Sequence, residues 1–410
     1  MLTLNEREDR TLPTPNGYRE WLRDTLRDGL LPVIGIAGTS GKSTVVRMLD
    51  AIFRQAGLRT ASWTDRGVEI MGQRQDSELG GWELALAKLA SGTVDVALQE
   101  LHWSTVKAVG LPPGSYPALA LTNLRGLGDA YWSRNALSLA EEAAMAVARA
   151  AHPRGILVLN GDDYSLVDAL AATAATPIVV GYAKESPGVS RHLQSARPAA
   201  WTSDNVIHLS DGVTHRQLTD ISLPPITLGG EATFEIANLL SATAIASAVG
   251  IDDATIASAL VGFAADADAL PGSFNVWESP KLRVVVSTVE QSWVLRQILR
   301  AINPGAARRQ LTVLGNIGSL DSRDATELGR LLGRNHGAII LHGEHDEVQL
   351  EAFRHGITAN EYPPLIIHVT DERRAIRRVM QTAREDDVVL LIPGEDAEPS
   401  LRAATELVAS

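Results

Sequence analysis

The chain has 410 residues, of which 45% are hydrophobic and 21% charged, a balance typical of a globular protein with two or three domains and an ample core. Its 49 acidic and 37 basic side chains give a formal net charge of −12, and no basic stripe is visible, which argues against a nucleic-acid-binding surface. Cysteine is absent, and this excludes disulfides, thiolate metal sites and a cysteine nucleophile.

The amino-terminal segment has no pattern of export or membrane insertion. The first thirty residues carry many charges and lack the apolar core of a signal peptide. No apolar run reaches the ~18 residues that a membrane-spanning helix needs. We therefore expect a cytoplasmic protein whose partners include neither a membrane nor a nucleic acid.

The first part of the chain alternates between strand and helix patterns. An amphipathic helix is predicted over residues 16–30, where apolar side chains recur at helical spacing. The strands predicted after it are Val33–Ala37, Arg59–Trp63, Val94–Gln99, Tyr116–Thr122, Ile156–Leu159 and Ile178–Gly181. The helices predicted between them are Lys42–Ala56, Trp82–Ala90 and Ser138–Ala151. This alternation predicts a parallel sheet with helices on both faces.

Residues 185–230 depart from that pattern, because Thr, Ser, Pro and charged residues become more frequent and runs such as Val206–Leu209 alternate. We expect short antiparallel strands here, flanking the main sheet. Two further helices are predicted, Phe234–Val249 and Asp253–Ala264. Pro271-Gly272 marks a predicted domain boundary.

Strand and helix patterns alternate again after this boundary. The predicted strands are Val284–Ser287, Leu311–Leu314, Gly337–Leu341 and Val388–Pro393, and the predicted helices are Trp293–Ile302, Ala325–Arg334 and Glu372–Arg384. We predict a smaller Rossmann-like α/β domain here. The predicted organisation is a helical lead-in over residues 1–30, a central α/β domain over 31–270 and a C-terminal domain over 271–410.

The segment Gly35–Thr44 reads GIAGTSGKST and directly follows an apolar run. A strand, a glycine-rich loop and a helix start form a phosphate cradle, because backbone amides and the positive helix end meet there. In this pattern Lys42 would bind the β- and γ-phosphates and the Ser43 hydroxyl would bind Mg²⁺. The alternative is a tight structural turn. The general nucleotide loop has glycine six residues before the lysine, whereas here that residue is Ile36 and the glycine is Gly35.

This loop and several later phrases resemble the Mur ligase superfamily of ATP-dependent amide ligases, and within it the C-terminal ligase half of the cyanophycin synthetases. The superfamily loop is Gly-x-x-Gly-Thr-x-Gly-Lys-[Ser/Thr], as in Gly35–Ser43. The other shared phrases are Leu31-Pro32-Val33-Ile34, Thr64-Asp65-Arg66-Gly67, Val158–Asp163, Leu228–Phe234, Leu270–Asn275 and Glu327-Leu328-Gly329. The resemblance covers roughly residues 28–400, and the sequence begins about where the ATP-grasp module of the cyanophycin synthetases would end.

The resemblance implies a site for ATP and Mg²⁺. In such ligases a carboxylate attacks the γ-phosphate of ATP, and an amine then displaces phosphate from the acyl phosphate. The implied catalytic residues are Lys42 and Glu100, and the implied Mg²⁺ ligands are Ser43 and Glu100, which follows the predicted strand Val94–Gln99. The implied nucleotide contacts are Gly38, Thr39, Ser40, Gly41, Lys42, Ser43, Thr44, Asn123 and Asn238, the last of these at adenine.

Several of these residues also have plainer interpretations. Glu100 could be a solvated strand-end cap. Asn238 could make a structural hydrogen bond inside its apolar helix instead of an adenine contact. Three polar residues that match a strand-end motif of the superfamily could form a simple turn: Asn160, Asp162 and Asp163. His102 could be catalytic or could be an ordinary surface or pocket residue. Trp103 and Trp132 could line a substrate pocket or could serve only in packing.

Other positions differ from the superfamily pattern. Asp-His is expected in Leu124–Asp129 and is absent, and a lysine expected in the helix at residues 138–151 is missing, with Ala144 nearest its place. Glu141 or Glu142 could hold a second Mg²⁺ instead. The C-terminal nucleotide motifs are also replaced, by Gly272-Ser273, Ser287–Ser292 and Gly315–Leu320.

Two functions therefore stay open. The first is an ATP-dependent ligase that acts on an amino-acid or peptide carboxylate. The second is a non-catalytic pseudo-ligase or regulatory subunit that binds nucleotide, with a homologous partner subunit or a homo-oligomer supplying what it lacks. An ordinary P-loop kinase or GTPase is a weaker alternative, because Ile36 breaks the spacing and residues 270–410 would have no role.

Overall fold

The structure is a computed structural model that describes residues 14–76, 80–124, 134–166, 172–279, 282–289, 292–302, 309–315, 317, 320, 322–334, 337–343, 345–394 and 396–409. The chain forms two compact units, of which the first ends at Phe263 and the second begins at Ala264. The sequence predicts the division at residue 270. Residues 264–270, between the observed and the predicted division, are bound to the second unit by Asn275. The Asn275 side-chain amide donates to the carbonyls of Ala265 and Leu270.

The first unit is an α/β sheet domain. Its strands are β1 (Val33–Ala37), β2 (Thr60–Thr64), β3 (Gly67–Ile70), β4 (Gln73–Arg74), β5 (Val96–Leu101), β6 (Tyr116–Leu121), β7 (Ala151–Asn160), β8 (Pro177–Ala183), β9 (Ala199–Ser203), β10 (Val206–Ser210) and β11 (His215–Asp220). Its helices are α1 (Asn16–Arg27), α2 (Lys42–Gln55), α3 (Gly81–Ala90), α4 (Trp103–Val109), α5 (Arg134–Ala150), α6 (Pro187–Gln194), α7 (Thr233–Ala248) and α8 (Asp253–Val261).

Within the described residues these strands form one 11-stranded sheet in the order β11-β10-β9-β8-β7-β6-β1-β5-β2-β3-β4. Neighbours from β9 through β2 in that order are parallel, which confirms the predicted parallel sheet. Strands β1, β5 and β6 are buried along their whole length, as expected for apolar runs covered on both faces. The antiparallel strands β10 and β11 confirm the predicted flank.

Three features of the first unit differ from the prediction: an edge hairpin, two short helices and the end of strand β5. Strands β3 and β4 form an antiparallel hairpin at the other edge, through a two-residue turn in which Met71 and Gly72 both have positive φ. Methionine is not a typical residue of such a turn, so the sequence carried no hairpin signal. Helices α4 and α6 were also missed, because each is short. Strand β5 ends two residues later than predicted, and Glu100 therefore lies inside it, paired in register with Ile36.

The two faces of the sheet carry different helices. Helices α3, α4 and α5 pack on the face that presents Ala97 and Leu101 of β5. Helix α2 contacts β1, β2 and β5 and also packs on α7. The Glu100 side chain reaches Ser43 of α2, as the alternation of side chains along a strand requires. The loop between β1 and α2 thus lies at the carboxyl end of the central strands, where open α/β sheets bind ligands.

The second unit is a smaller sheet domain. Its strands are β12 (Asn275–Glu278), β13 (Leu282–Val286), β14 (Gln310–Leu314), β15 (Gly337–His342), β16 (Leu365–Val369) and β17 (Asp387–Ile392). Its helices are α9 (Ser292–Ile302), α10 (Ser322–Leu332), α11 (Glu347–Thr358), α12 (Glu372–Thr382) and α13 (Glu398–Ala409).

Among its described residues these strands form a 6-stranded sheet in the order β12-β13-β17-β14-β15-β16, parallel except for the edge strand β12. This confirms the predicted Rossmann-like fold. Strands β12 and β16 and helices α11 and α13 were not predicted. Strand β16 lies at the sheet edge and is only partly buried, so it lacks the continuous apolar run that identifies an inner strand. In neither unit is any described helix both long and apolar enough to cross a membrane.

Candidate functional site

The loop Gly38–Gly41 joins β1 to α2 and is held by the end of the neighbouring strand β6. The Thr39 amide donates to the Asn123 carbonyl at 3.0 Å, and the Ser40 amide donates to the Asn123 side-chain oxygen at 3.0 Å. The Asn123 side-chain nitrogen and the Thr122 hydroxyl both donate to the Ser40 carbonyl, at 2.9 and 2.8 Å. Asn123 therefore fixes the conformation of the loop through both ends of its amide.

Two glycines of the loop leave no room for a side chain. A Cβ at Gly38 would lie 1.9 Å from the Thr122 hydroxyl oxygen. Gly41 has a φ of +80°, and a Cβ there would lie 2.2 Å from the side-chain oxygen of Asn238. Positive φ and close approach both require glycine at position 41. The backbone thus forms a narrow cradle whose shape a Cβ would destroy.

Lys42, Ser43 and Glu100 meet at the start of α2. The Ser43 hydroxyl donates to one Glu100 carboxylate oxygen at 2.9 Å, and the Lys42 ammonium nitrogen lies 3.6 Å from the other. Lys42 also donates to the Thr39 carbonyl at 3.4 Å. Glu100 is 6% exposed, so the interpretation of this residue as a solvated cap is wrong. The structure brings these three predicted residues together, although Glu100 lies 57 positions after Ser43 in the sequence.

These side chains fit the groups that the sequence predicts here. Mg²⁺ prefers hard oxygen ligands and is commonly bound by one or two protein oxygens together with phosphate oxygens and water. The Ser43 hydroxyl and the Glu100 carboxylate supply such oxygens. The Lys42 ammonium and the glycine-lined cradle at a helix N-terminus suit the phosphates. No cluster of three or more His, Cys, Asp or Glu side chains that could hold a metal ion occurs in the described part of the chain.

The predicted strand-end residues after β7 act as structural braces. The Asn160 side-chain oxygen accepts from the Asp162 amide at 3.0 Å, and an Asp162 carboxylate oxygen accepts from the Tyr182 amide at 2.6 Å. An Asp163 carboxylate oxygen accepts from the Leu124 amide at 2.6 Å. The turn interpretation is therefore correct for this segment, and Asp163 additionally holds the chain just after Asn123.

Trp103 connects α4 to the phosphate loop. Its indole nitrogen donates to the Thr39 hydroxyl at 3.1 Å, and that hydroxyl donates to the Leu124 carbonyl at 3.0 Å. His102 lies at the N-cap of α4, with its Nε2 atom 3.5 Å from Glu100. Trp103 therefore positions the loop, whereas Trp132 lies outside the described residues.

Asn238 and Glu235 form a buried pair behind the loop, and the sequence did not single out Glu235. The Asn238 side-chain nitrogen donates to a Glu235 carboxylate oxygen at 2.9 Å, and Glu235 is 3% exposed. Burial raises the pKa of Glu235 to about 7, although the hydrogen bond from Asn238 lowers it. The signal available in the sequence was that Glu235 is the one charged side chain of α7 and lies one turn before Asn238. The structural bond of Asn238 is present, and the adenine contact stays a prediction.

The position expected to carry a lysine is apolar. Ala144 is buried in the core between α5 and the sheet. Glu142, one of the residues considered for a second Mg²⁺, forms an exposed ion pair with Lys107 instead. Arg125–Asp129 and parts of two of the three C-terminal motifs, residues 290–291, 316 and 318–319, lie outside the described residues.

Comparison with known proteins identifies the relatives of the chain. No protein-family model matches it. The cyanophycin synthetase of Nostoc sp. is 24% identical over 378 residues, covering 90% of this chain and 42% of that protein. This chain therefore spans less than half the length of that relative. The UDP-N-acetylmuramoyl-L-alanyl-D-glutamate–2,6-diaminopimelate ligase of Bacillus cereus is 21% identical over 381 residues, covering 88% and 72%.

Solved structures with the same fold include the bifunctional folylpolyglutamate synthase/dihydrofolate synthase of Yersinia pestis complexed with AMPPNP and Mn ion. It has a TM-score of 0.63 and 17% identity, and the match covers 98% of this chain and 94% of that one. The chain is thus a homologue of the cyanophycin synthetases and the Mur ligases, and it has the fold that the Mur ligases share with the folylpolyglutamate synthases.

Proposed function

We propose that the chain is an ATP-dependent ligase that joins a carboxylate to an amine. The observation that carries the proposal is the convergence of Lys42, Ser43 and Glu100 at a glycine-lined helix start. Related structures support the nucleotide, since one holds AMPPNP with Mn and another holds ADP. The name of the Bacillus cereus relative gives it as a ligase of UDP-N-acetylmuramoyl-L-alanyl-D-glutamate and 2,6-diaminopimelate, which supports an amino-acid or peptide carboxylate as the substrate class.

The proposed reaction has two balanced steps. A carboxylate oxygen of the substrate attacks the γ-phosphorus of ATP, the bond to the β-phosphate oxygen breaks, and ADP leaves. An amine then attacks the acyl carbon, the bond to the phosphate oxygen breaks, and phosphate leaves as the amide forms and the amine loses a proton. A protein accelerates such phosphoryl transfer mostly by positioning and by stabilising charge.

The residues of this chain have defined parts in that scheme. Loop amides from Gly38 to Thr44 would bind phosphate oxygens, and Lys42 would neutralise charge on the β- and γ-phosphates. Ser43 and Glu100 would hold Mg²⁺, which when bound screens the phosphate charge. Lys42 and Glu100 lie 3.6 Å apart, and with ATP bound Lys42 would contact phosphate and Glu100 would contact the metal ion.

The test uses the full chain with ATP, Mg²⁺ and a panel of amino acids as donors and acceptors. Phosphate release and amide products are measured, the latter by mass spectrometry. Lys42→Ala is expected to abolish ATP-dependent phosphate release, while the exposed Lys184→Ala is expected to leave it unchanged. Unchanged release in Lys42→Ala would show that the assigned role is wrong.

A second candidate is a subunit that binds nucleotide without turnover. The observation that favours it concerns Ala144. The superfamily resemblance implies a lysine near this position, but Ala144 is buried in the hydrophobic core. Isothermal calorimetry with ATP–Mg²⁺ separates the two candidates. Binding without any product across the acceptor panel favours the subunit, and a single amide product refutes it.

The remaining expectations concern partners and location. We also propose that the chain associates with a homologous partner subunit or with a second copy of itself. Light scattering of the chain alone and with a candidate subunit tests this. A cytoplasmic location is proposed from the need for ATP.

A further inference from the structure

A cavity of about 680 Å³ lies on the face of the first sheet that α3 and α4 cover. Its floor is formed by side chains of the strands, among them Val33, Gln99 and Leu101. Its walls include Leu86 from α3 and Val106 from α4. The volume lies within the range of about 300–1,000 Å³ found for small-molecule sites. The nucleotide-loop contacts of Glu100 are on the other face of the same strand.

The walls of the cavity favour an uncharged ligand. None of the described residues that line it is Asp, Glu, Lys, Arg or His. Desolvating a charged group against such walls would be costly, because no opposite charge is available to pair with it. Trp63 and Trp82 are stacked at one side, with ring centroids 5.8 Å apart and an interplanar angle of 24°. A flat aromatic wall of this kind suits stacking of an aromatic ring of the ligand.

One buried polar side chain, that of Gln99, can offer a ligand in the cavity a hydrogen bond. Gln99 is 7% exposed, and its side-chain oxygen accepts a hydrogen bond from the Tyr116 hydroxyl at 2.6 Å. Within the described residues the other end of the Gln99 amide makes no hydrogen bond. Whichever way the amide is turned, Tyr116 can satisfy only one end of it. Burial raises the pKa of Tyr116 to about 12, so its hydroxyl stays protonated near neutral pH.

We propose that this cavity binds an uncharged aromatic small molecule that carries one hydrogen-bonding group, with its ring against Trp63 and Trp82 and its polar group on Gln99. The volume, the uncharged walls and the half-satisfied amide together specify this chemical class. The site does not depend on the function proposed above.

The position of the cavity links it to the phosphate loop. Strand β5 carries Gln99 and Leu101 on the cavity face and Glu100 on the loop face. Helix α4 lines the cavity with Val106 and begins with Trp103, whose indole holds Thr39. A ligand in the cavity would therefore contact the same strand and helix that position the loop.

The experiment titrates the full chain with 6-propionyl-2-(dimethylamino)naphthalene, an uncharged aromatic fluorophore whose carbonyl oxygen can accept a hydrogen bond from the free Gln99 amide nitrogen. We expect saturable one-to-one binding with increased probe fluorescence, and we expect that excess ATP–Mg²⁺ does not displace the probe. Val109 lies at the rim and is 80% exposed, so Val109→Glu should fold normally and weaken binding at least tenfold. The matched control is Val213→Glu, at a position that is 93% exposed and not among the cavity residues, which should bind like the parent.

A second variant tests the polar contact. Gln99→Met preserves the side-chain volume and removes the amide, and we expect it to weaken probe binding about fivefold with little change for naphthalene, which has no hydrogen-bonding group. Three results would overturn the proposal. They are binding that does not saturate, probe displacement by ATP–Mg²⁺, and affinity unchanged in Val109→Glu. A concentration-dependent dimer that Val109→Glu dissociates would instead assign the cavity to a second copy of the chain and equally refute the small-molecule site.

Discussion

The buried carboxyl of Glu235 should make the stability of the first unit depend on pH. Burial raises its pKa to about 7 in the folded chain, against 4.5 for an ordinary glutamate. Between these values the folded state binds more protons than the unfolded state. The free energy of unfolding therefore falls as the pH rises from about 4.5 to 7, and it levels off above that. The full loss from this one group is about 3 kcal/mol, since each pKa unit corresponds to about 1.4 kcal/mol.

Glu235→Gln is the perturbation that isolates this effect. The glutamine oxygen can still accept the hydrogen bond from Asn238, which in Glu235 spans 2.9 Å, but the side chain carries no charge at any pH. We expect the variant to exceed the parent in free energy of unfolding by about 3 kcal/mol at pH 8 and by less than about 1 kcal/mol at pH 5. Urea denaturation followed by tryptophan fluorescence across this range measures the difference.

The control is Glu231→Gln, which removes the same charge from an exposed position four residues earlier. It should change the free energy of unfolding by less than about 0.5 kcal/mol at every pH. Parallel pH profiles for the parent and Glu235→Gln would refute the reasoning, and so would a variant that is less stable than the parent at pH 8.

The remaining predictions concern the loop and its supports. Gly41→Ala should lower ATP affinity more than tenfold by calorimetry, because its Cβ would lie 2.2 Å from the Asn238 oxygen at a φ of +80°; affinity equal to that of the parent would contradict this. Asp163→Ala should cost about 1–3 kcal/mol of stability and speed hydrogen exchange at the Leu124 amide, which loses its acceptor, and an unchanged exchange rate would argue against the brace. Glu100→Gln should raise the Mg²⁺ concentration needed for ATP binding about tenfold, and an unchanged Mg²⁺ requirement would remove Glu100 from the metal site.

Short-range features of this protein were predictable from the sequence. The glycine-rich loop between β1 and α2 could be predicted because its glycines, Lys42 and Ser43 stand within one segment of ten residues. Strands such as β1 and β6 were identified because burial on both faces demands a continuous apolar run. The hairpin whose turn is Met71 and Gly72 was not predicted, because these turn residues give no local signal in the sequence.

The sequence by itself determined the parallel sheet, the glycine-rich loop between β1 and α2 and the absence of cysteine chemistry, because these follow from composition and from neighbours along the chain. Only the tertiary structure decided which distant groups complete the loop. Ser43 meets Glu100 across 57 positions, Thr39 meets Trp103 across 64, and Ser40 meets Asn123 across 83. The parallel sheet brings these strand ends to one edge, and the register that selects each partner is set by packing over the whole sheet rather than by any local pattern.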